Sequence, residues 1–158
     1  MSGENGAVPR KMHLELPAVH RWVRVARNVV RRFGRMSGVG DKDLDVLILV
    51  TSELLENAVD HGGGEAAREE WERDSDSRMS LELQLFPDRW RIKVDDQGGG
   101  DPEELQKLAN PDGLPDLENE RGRGFFLMSE MVDSLNIERS DDGKGIAVVA
   151  VRSHGRPD

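Results

Sequence analysis

Met79 to Phe86 and Arg89 to Val94 alternate apolar and polar side chains on either side of Pro87-Asp88. Alternation puts every second side chain on one face of a strand, and a two-residue break suits a tight turn, so this pair predicts an antiparallel hairpin. Helices to cover its apolar face are readable upstream. Between Ala18 and about Phe33, the apolar residues Val19, Trp22, Val23, Ala26, Val29, Val30 and Phe33 recur at three- and four-residue steps, the period of an amphipathic helix, and Gly34 and Gly38 mark its end. Asp41 can cap a second helix that runs to about Asp60 with Leu44, Leu47, Ile48, Thr51, Leu55 and Ala58 along one face, and His61-Gly62-Gly63-Gly64 stops it.

The remaining elements fall around this frame. His13-Leu14-Glu15-Leu16 before Pro17 reads as an edge strand. After Gly98-Gly99-Gly100 come a short helix near Pro102 to Ala109 and a proline- and acid-rich loop to Glu120. Gly122-Arg123-Gly124 opens an apolar helix to about Val132, and Leu135 to Arg139 with Ile146 to Arg152 form a closing hairpin around Asp142-Gly143. Helices interleaved unevenly with strands place the chain in the α+β class, with helices on one face of a mixed, mostly antiparallel sheet. The 158 residues suit one domain. It is expected over residues 13–152, with a polar tail at 1–12, a charged, exposed insertion at about 63–77 and a short tail at 153–158.

Composition narrows the function. There is no cysteine for a disulfide framework or a thiolate zinc site, no apolar run approaches the ~18 residues of a membrane span, and the first residues do not read as a signal peptide. A cytoplasmic protein with no membrane partner is expected. The net charge of −9 argues against direct nucleic-acid binding, which needs a concentrated basic surface. Arg21, Arg24, Arg27, Arg31, Arg32 and Arg35 crowd the first helix, either as a solvated face or as a docking surface.

Three local patterns carry chemistry. Glu53 and Asn57, four apart, lie over one patch of the second helix and continue the face begun by Val46 and Val50. Polar groups so placed need partners or cost ~1–3 kcal/mol each, and a ligand can supply them. An Asn amide oxygen is a hard donor that suits Mg²⁺, and a carboxylate one turn away suits a general base. Asp96, followed by Gln97 and the glycines Gly98 to Gly100, can accept from an adenine amino group, with glycines admitting the base closely; the same pattern also makes ordinary hairpin turns. Gly122, Arg123, Gly124 and Phe125 open a helix whose unpaired amides favour an anion, although the lysine of a Walker loop is absent.

Together these patterns resemble the ATPase superfamily of DNA gyrase, a heat-shock chaperone, histidine kinases and mismatch-repair proteins (GHKL). Ser52 to Gly62 is similar to its asparagine box, Asp96 to Gly100 to its first glycine box and Gly122 to Leu127 to its second. From about His13 to Arg152 the chain most resembles the anti-sigma-factor serine/threonine kinases. The resemblance implies a two-layer α/β sandwich of the Bergerat type that binds ATP with Mg²⁺. It implies Glu53 as general base, Asn57 on the metal, Asp96 on adenine, and Gly98, Gly100, Gly122 and Gly124 shaping the pocket. Arg123 and Phe125 belong to the second glycine box and His61 adjoins the asparagine box; all three count as candidate nucleotide contacts. The loop from Asn110 to Glu120 corresponds to the lid over the phosphates.

The implied activity is phosphorylation of an antagonist protein on serine or threonine. Partner switching with a sigma factor then regulates transcription, and a homodimer is compatible with the family. A non-catalytic nucleotide-dependent binding module and a slow ATP hydrolase are the competing readings. Two features depart from the family pattern: Gly145-Ile146 replaces Gly-Thr, and the 63–77 insertion is long. A histidine-kinase fragment is disfavoured, because His13 and His20 read as a strand residue and a helix-surface residue.

Overall fold

The computed structural model describes residues 8–62, 77–98, 100–115 and 117–156. All but Ser77 of the expected insertion, and Gly99 of the first glycine motif, lie outside the described residues. The elements run β1 (Arg10–Pro17), α1 (His20–Met36), α2 (Asp41–Gly62), β2 (Arg78–Leu85), β3 (Arg89–Asp95), α3 (Pro102–Ala109), α4 (Glu120–Met131), β4 (Ser134–Arg139) and β5 (Ile146–Ser153).

The strands form one five-stranded sheet in the order β1-β2-β3-β5-β4, with every neighbouring pair antiparallel. The β2–β3 hairpin closes as its alternation predicts: Phe86 N–H donates to Arg89 O at 2.9 Å across Pro87-Asp88. β1 begins at Arg10, earlier than its apolar alternation suggests, because Arg10 to Met12 pair with Leu85 to Leu83. Met79, Leu81, Leu83, Trp90, Ile92, Leu135, Ile146 and Ala150 are buried with Val30, Leu47, Val50, Leu55 and Phe125 in a single core cluster. At about 1.5–3 kcal/mol for each large apolar side chain, this burial holds the helices to the sheet.

Local chemistry sets the element ends. Gly38 takes φ +82° after α1, and Val39 N–H returns to Gly34 O at 3.0 Å, a left-handed helix stop of the Schellman kind. A side chain at Gly34 would begin 2.6 Å from Leu44 Cδ1, so the end of α1 can lie directly on the start of α2. Asp101 caps α3 by accepting from Glu103 N–H at 3.0 Å. Asp41, expected as a cap, is instead the first residue of α2, where its charge and that of Asp43 suit the positive end of the helix. Asp43 also accepts from Arg152 Nε at 3.4 Å and from Gly155 N–H at 3.0 Å, while Arg152 Nη1 donates to Met131 O at 2.6 Å. This buried knot joins α2, α4 and β5.

His20 lies on the helix surface as expected, with its side chain 41% exposed, but it is not idle. As the first residue of α1 it places its two ring nitrogens against Glu56 Oε2 and Asp60 Oδ1, bracing α1 on the second half of α2.

Candidate functional site

Residues 53, 57 and 61 of α2 are spaced one turn apart, so their side chains share a face. That face looks across to α4, and the two helices enclose a cleft of about 570 Å³ lined by Glu53, Asn57 and His61 on one side and Arg121 and Gly124 on the other. A Cβ at residue 124 would lie 3.7 Å from Glu53 Oε2, an ordinary contact distance that puts the second glycine motif directly opposite the carboxylate. Glu53 is exposed at the cleft rather than submerged with Val50, so it needs no protein partner. Asn57 is half-buried, and its Nδ2 is enclosed without a hydrogen-bond partner among the described residues. An unmet amide of this kind costs roughly 1–3 kcal/mol until a ligand answers it.

His61 ends the row. Burial, and then the positive charge of Arg121, push its imidazole below its ordinary pKa and favour the neutral ring.

Asp96 follows β3. Its Oδ1 accepts from Gly98 N–H at 2.9 Å and from Ile146 N–H at 3.4 Å, which orients the carboxylate. Burial raises its pKa, opposed by those two amides and by the charge of Arg121. Asp96 lines a separate hollow of about 220 Å³ with Asp95, Gln97, Ser140 and Asp142. Ile146, where the family pattern has a threonine, thus contributes a backbone donor to Asp96 and an almost wholly buried side chain to the core.

The second glycine motif is placed differently from its expected reading. α4 starts at Glu120, two residues before Gly122, and Asn119 caps it by accepting Gly122 N–H at 3.0 Å. The amide of Gly122 is therefore already paired. Its absent side chain instead gives room to Leu108 of α3, whose Cδ2 would lie 3.2 Å from an added Cβ. Phe125 is fully buried in the core. Gly98 is buried, and Gly100 is exposed with φ +130°. Arg123 is exposed; its Nη1 donates to Leu117 O at 3.0 Å, linking the helix to the loop before it.

Arg121 was not among the residues singled out by sequence. Its guanidinium lies 5.7 Å from the centre of the Phe125 ring, and its Nε is enclosed without a partner among the described residues. Asn119 followed by Glu120 was a readable helix start, and counting from it rotates Arg121 towards α2.

The family described as the histidine kinase-like ATPase domain matches residues 16–150. The chain belongs to this family. The ATPase domain is 26% identical over 144 residues to the serine-protein kinase RsbW of Halalkalibacterium halodurans, an alignment covering 89% of the chain and 82% of the relative. Among solved structures it resembles a chain of the SiaB–SiaC complex from Pseudomonas aeruginosa, with a TM-score of 0.64 at 13% identity over 89% of each chain. It also matches the structure of the RsbU and RsbW domains of a Mycobacterium tuberculosis protein, with a TM-score of 0.63 at 19% identity. That match covers 94% of the ATPase domain and 33% of the longer chain. Both structural likenesses concern the fold. No helix among the described residues is long and apolar enough to cross a membrane.

Proposed function

We propose that this ATPase domain binds Mg-ATP and transfers the γ-phosphoryl group to a serine or threonine of an antagonist protein, acting as an anti-sigma-factor kinase. The observation that carries this reading is the single cleft in which Glu53 and the unmet amide of Asn57 face the start of α4. Similarity to serine-protein kinases over most of the chain supports it.

The donor set fits a magnesium nucleotide. The amide oxygen of Asn57 is a hard ligand, and its nitrogen is a donor that a phosphate oxygen can accept from. Bound there, magnesium would neutralise charge on the phosphates and leave Asn57 as its protein ligand. Asp96, held by two backbone amides, accepts from the adenine amino group. Glu53 takes the proton of the acceptor hydroxyl as that oxygen bonds to the γ-phosphorus. The bond from phosphorus to the bridging oxygen of ADP breaks, and ADP carries away its electron pair. The positive end of α4 opposite Glu53 favours the charge on the transferring group.

The reading is tested with labelled ATP, with and without Mg²⁺, and an antagonist encoded beside this gene. Mg²⁺-dependent phosphoserine or phosphothreonine on the antagonist is expected, and it should be lost with Glu53→Gln. Full transfer by Glu53→Gln would remove Glu53 as the base, and ATP binding without any transfer would leave a binding module.

A further inference from the structure

Arg121 and Arg123 stand two residues apart on α4, roughly 200° around the helix, and although both reach the cleft lining their surroundings differ. Arg123 is already engaged: its Nη1 donates to Leu117 O in the preceding loop, and its Nη2 lies 4.0 Å from Glu120 Oε1 on its own helix. Arg121 has no carboxylate within ion-pair distance among the described residues. Its Nε is shut away from solvent, its guanidinium rests over a fully buried phenylalanine, and the group lines the cleft together with Asn57 and His61.

This is a costly place for a cation. Burial pulls its pKa down against the opposing influence of Asp96, and the positive end of the α4 dipole repels the cation further. Among the described residues lining the cleft, the enclosed polar atoms without a partner are Arg121 Nε and Asn57 Nδ2, both donors. A ligand that relieves both must offer acceptor oxygens and negative charge. The planar fork of an arginine suits a phosphate, which it can hold through two parallel hydrogen bonds.

We infer that Arg121, and not Arg123, is the cation that receives the phosphate chain of the nucleotide, while Arg123 ties the preceding loop to α4. The inference rests on the nucleotide reading above and goes further by assigning the phosphate contact to one side chain. Without nucleotide, Arg121 has no ion-pair partner among the described residues; with nucleotide, its charge is met by phosphate.

The test is calorimetric titration of the full chain with ADP and, separately, with adenosine, using wild type, Arg121→Met, Arg121→Lys and Arg123→Met. Charge-assisted hydrogen bonds of this kind correspond to about 10- to 100-fold in affinity. Arg121→Met should weaken ADP by that factor while holding adenosine within about twofold, because the base contact lies at Asp96. Arg121→Lys should fall between, and Arg123→Met should bind ADP within about threefold of wild type. NMR titration of His61 gives an independent readout: its pKa should rise in Arg121→Met and stay in place in Arg123→Met. Equal loss of ADP and adenosine in Arg121→Met, unchanged ADP affinity, or a larger loss in Arg123→Met would each overturn the assignment. Wild type that binds neither ligand would instead overturn the nucleotide reading beneath it.

Discussion

Replacing Gly145 by alanine is the sharpest test of how Asp96, the proposed adenine contact, is positioned. An added Cβ would lie 1.7 Å from the backbone oxygen of Asp96, 2.7 Å from its carbonyl carbon and 3.0 Å from Gln97 Cα. Carbon and oxygen atoms approach no closer than about 3.3 Å in comfortable contacts, so the two segments must part by roughly 1.5 Å. No side chain can swing away to relieve this, because the obstructing atoms are backbone. The bonds at the contact are Asp96 N–H to Ile146 O at 2.9 Å and Ile146 N–H to Asp96 Oδ1 at 3.4 Å. Losing both, in a part-buried place, costs about 2–5 kcal/mol. In a chain of this length that lowers the melting temperature by roughly 5–20 °C. The displaced Asp96 should also bind ADP about 100-fold more weakly, the usual scale for an ångström of misplacement. Thermal unfolding and ADP calorimetry read the two effects. Gly143, in the same turn, is the control: nothing lies within 4 Å of its missing side chain, and its φ of +75° carries only backbone strain. Gly143→Ala should lose about 1–2 kcal/mol and retain ADP affinity. If Gly145→Ala melted and bound ADP like wild type, the close approach of the two segments would not be what orients Asp96.

Asp96→Asn should separate stability from binding. Because burial raises the carboxyl pKa in the folded protein, the folded state holds its proton to higher pH than the unfolded state, and stability falls as pH rises through that range. The asparagine variant should therefore resist urea better than wild type at neutral pH, with the gap closing on acidification, while its ADP binding weakens; a wild-type advantage at neutral pH would reverse the argument. Asp43→Ala should cost about 3–5 kcal/mol in urea unfolding, because it strands the guanidinium of Arg152 where its side chain is only 3% exposed. Glu53→Gln should keep ATP affinity within about threefold yet slow transfer to serine at least about 100-fold, and a fast variant would exclude general-base catalysis at this position.

The parts of the fold that declare themselves in sequence are those whose cause is local. Alternation around Pro87-Asp88 needs only the pleat, and the spacing of Val23, Ala26 and Val30 needs only the turn of a helix, so both hold in the structure, although Val19 precedes the helix in an extended conformation. Glu53, Asn57 and His61 meet in one cleft for the same reason. What escapes a local reading is anything settled by a distant partner. Gly145 resembles any turn glycine until β5 is laid against β3 and Asp96 O arrives at the position of its missing side chain. Asp43 resembles a first-turn acid until Arg152, far along the chain, reaches it. His20 looks like surface decoration until α1 folds back and Glu56 and Asp60 meet both ring nitrogens. The second glycine motif fails differently. Its glycines mark the right helix, but moving the helix start from Gly122 to Glu120 pairs the Gly122 amide with Asn119 and turns Gly122 towards Leu108. The same shift encloses the Nε of Arg121 beside Phe125 and leaves Arg123 exposed at the rim of the cleft. A displacement of two residues rotates a side chain by more than half a turn, so a motif that locates a site need not name the residue that works in it.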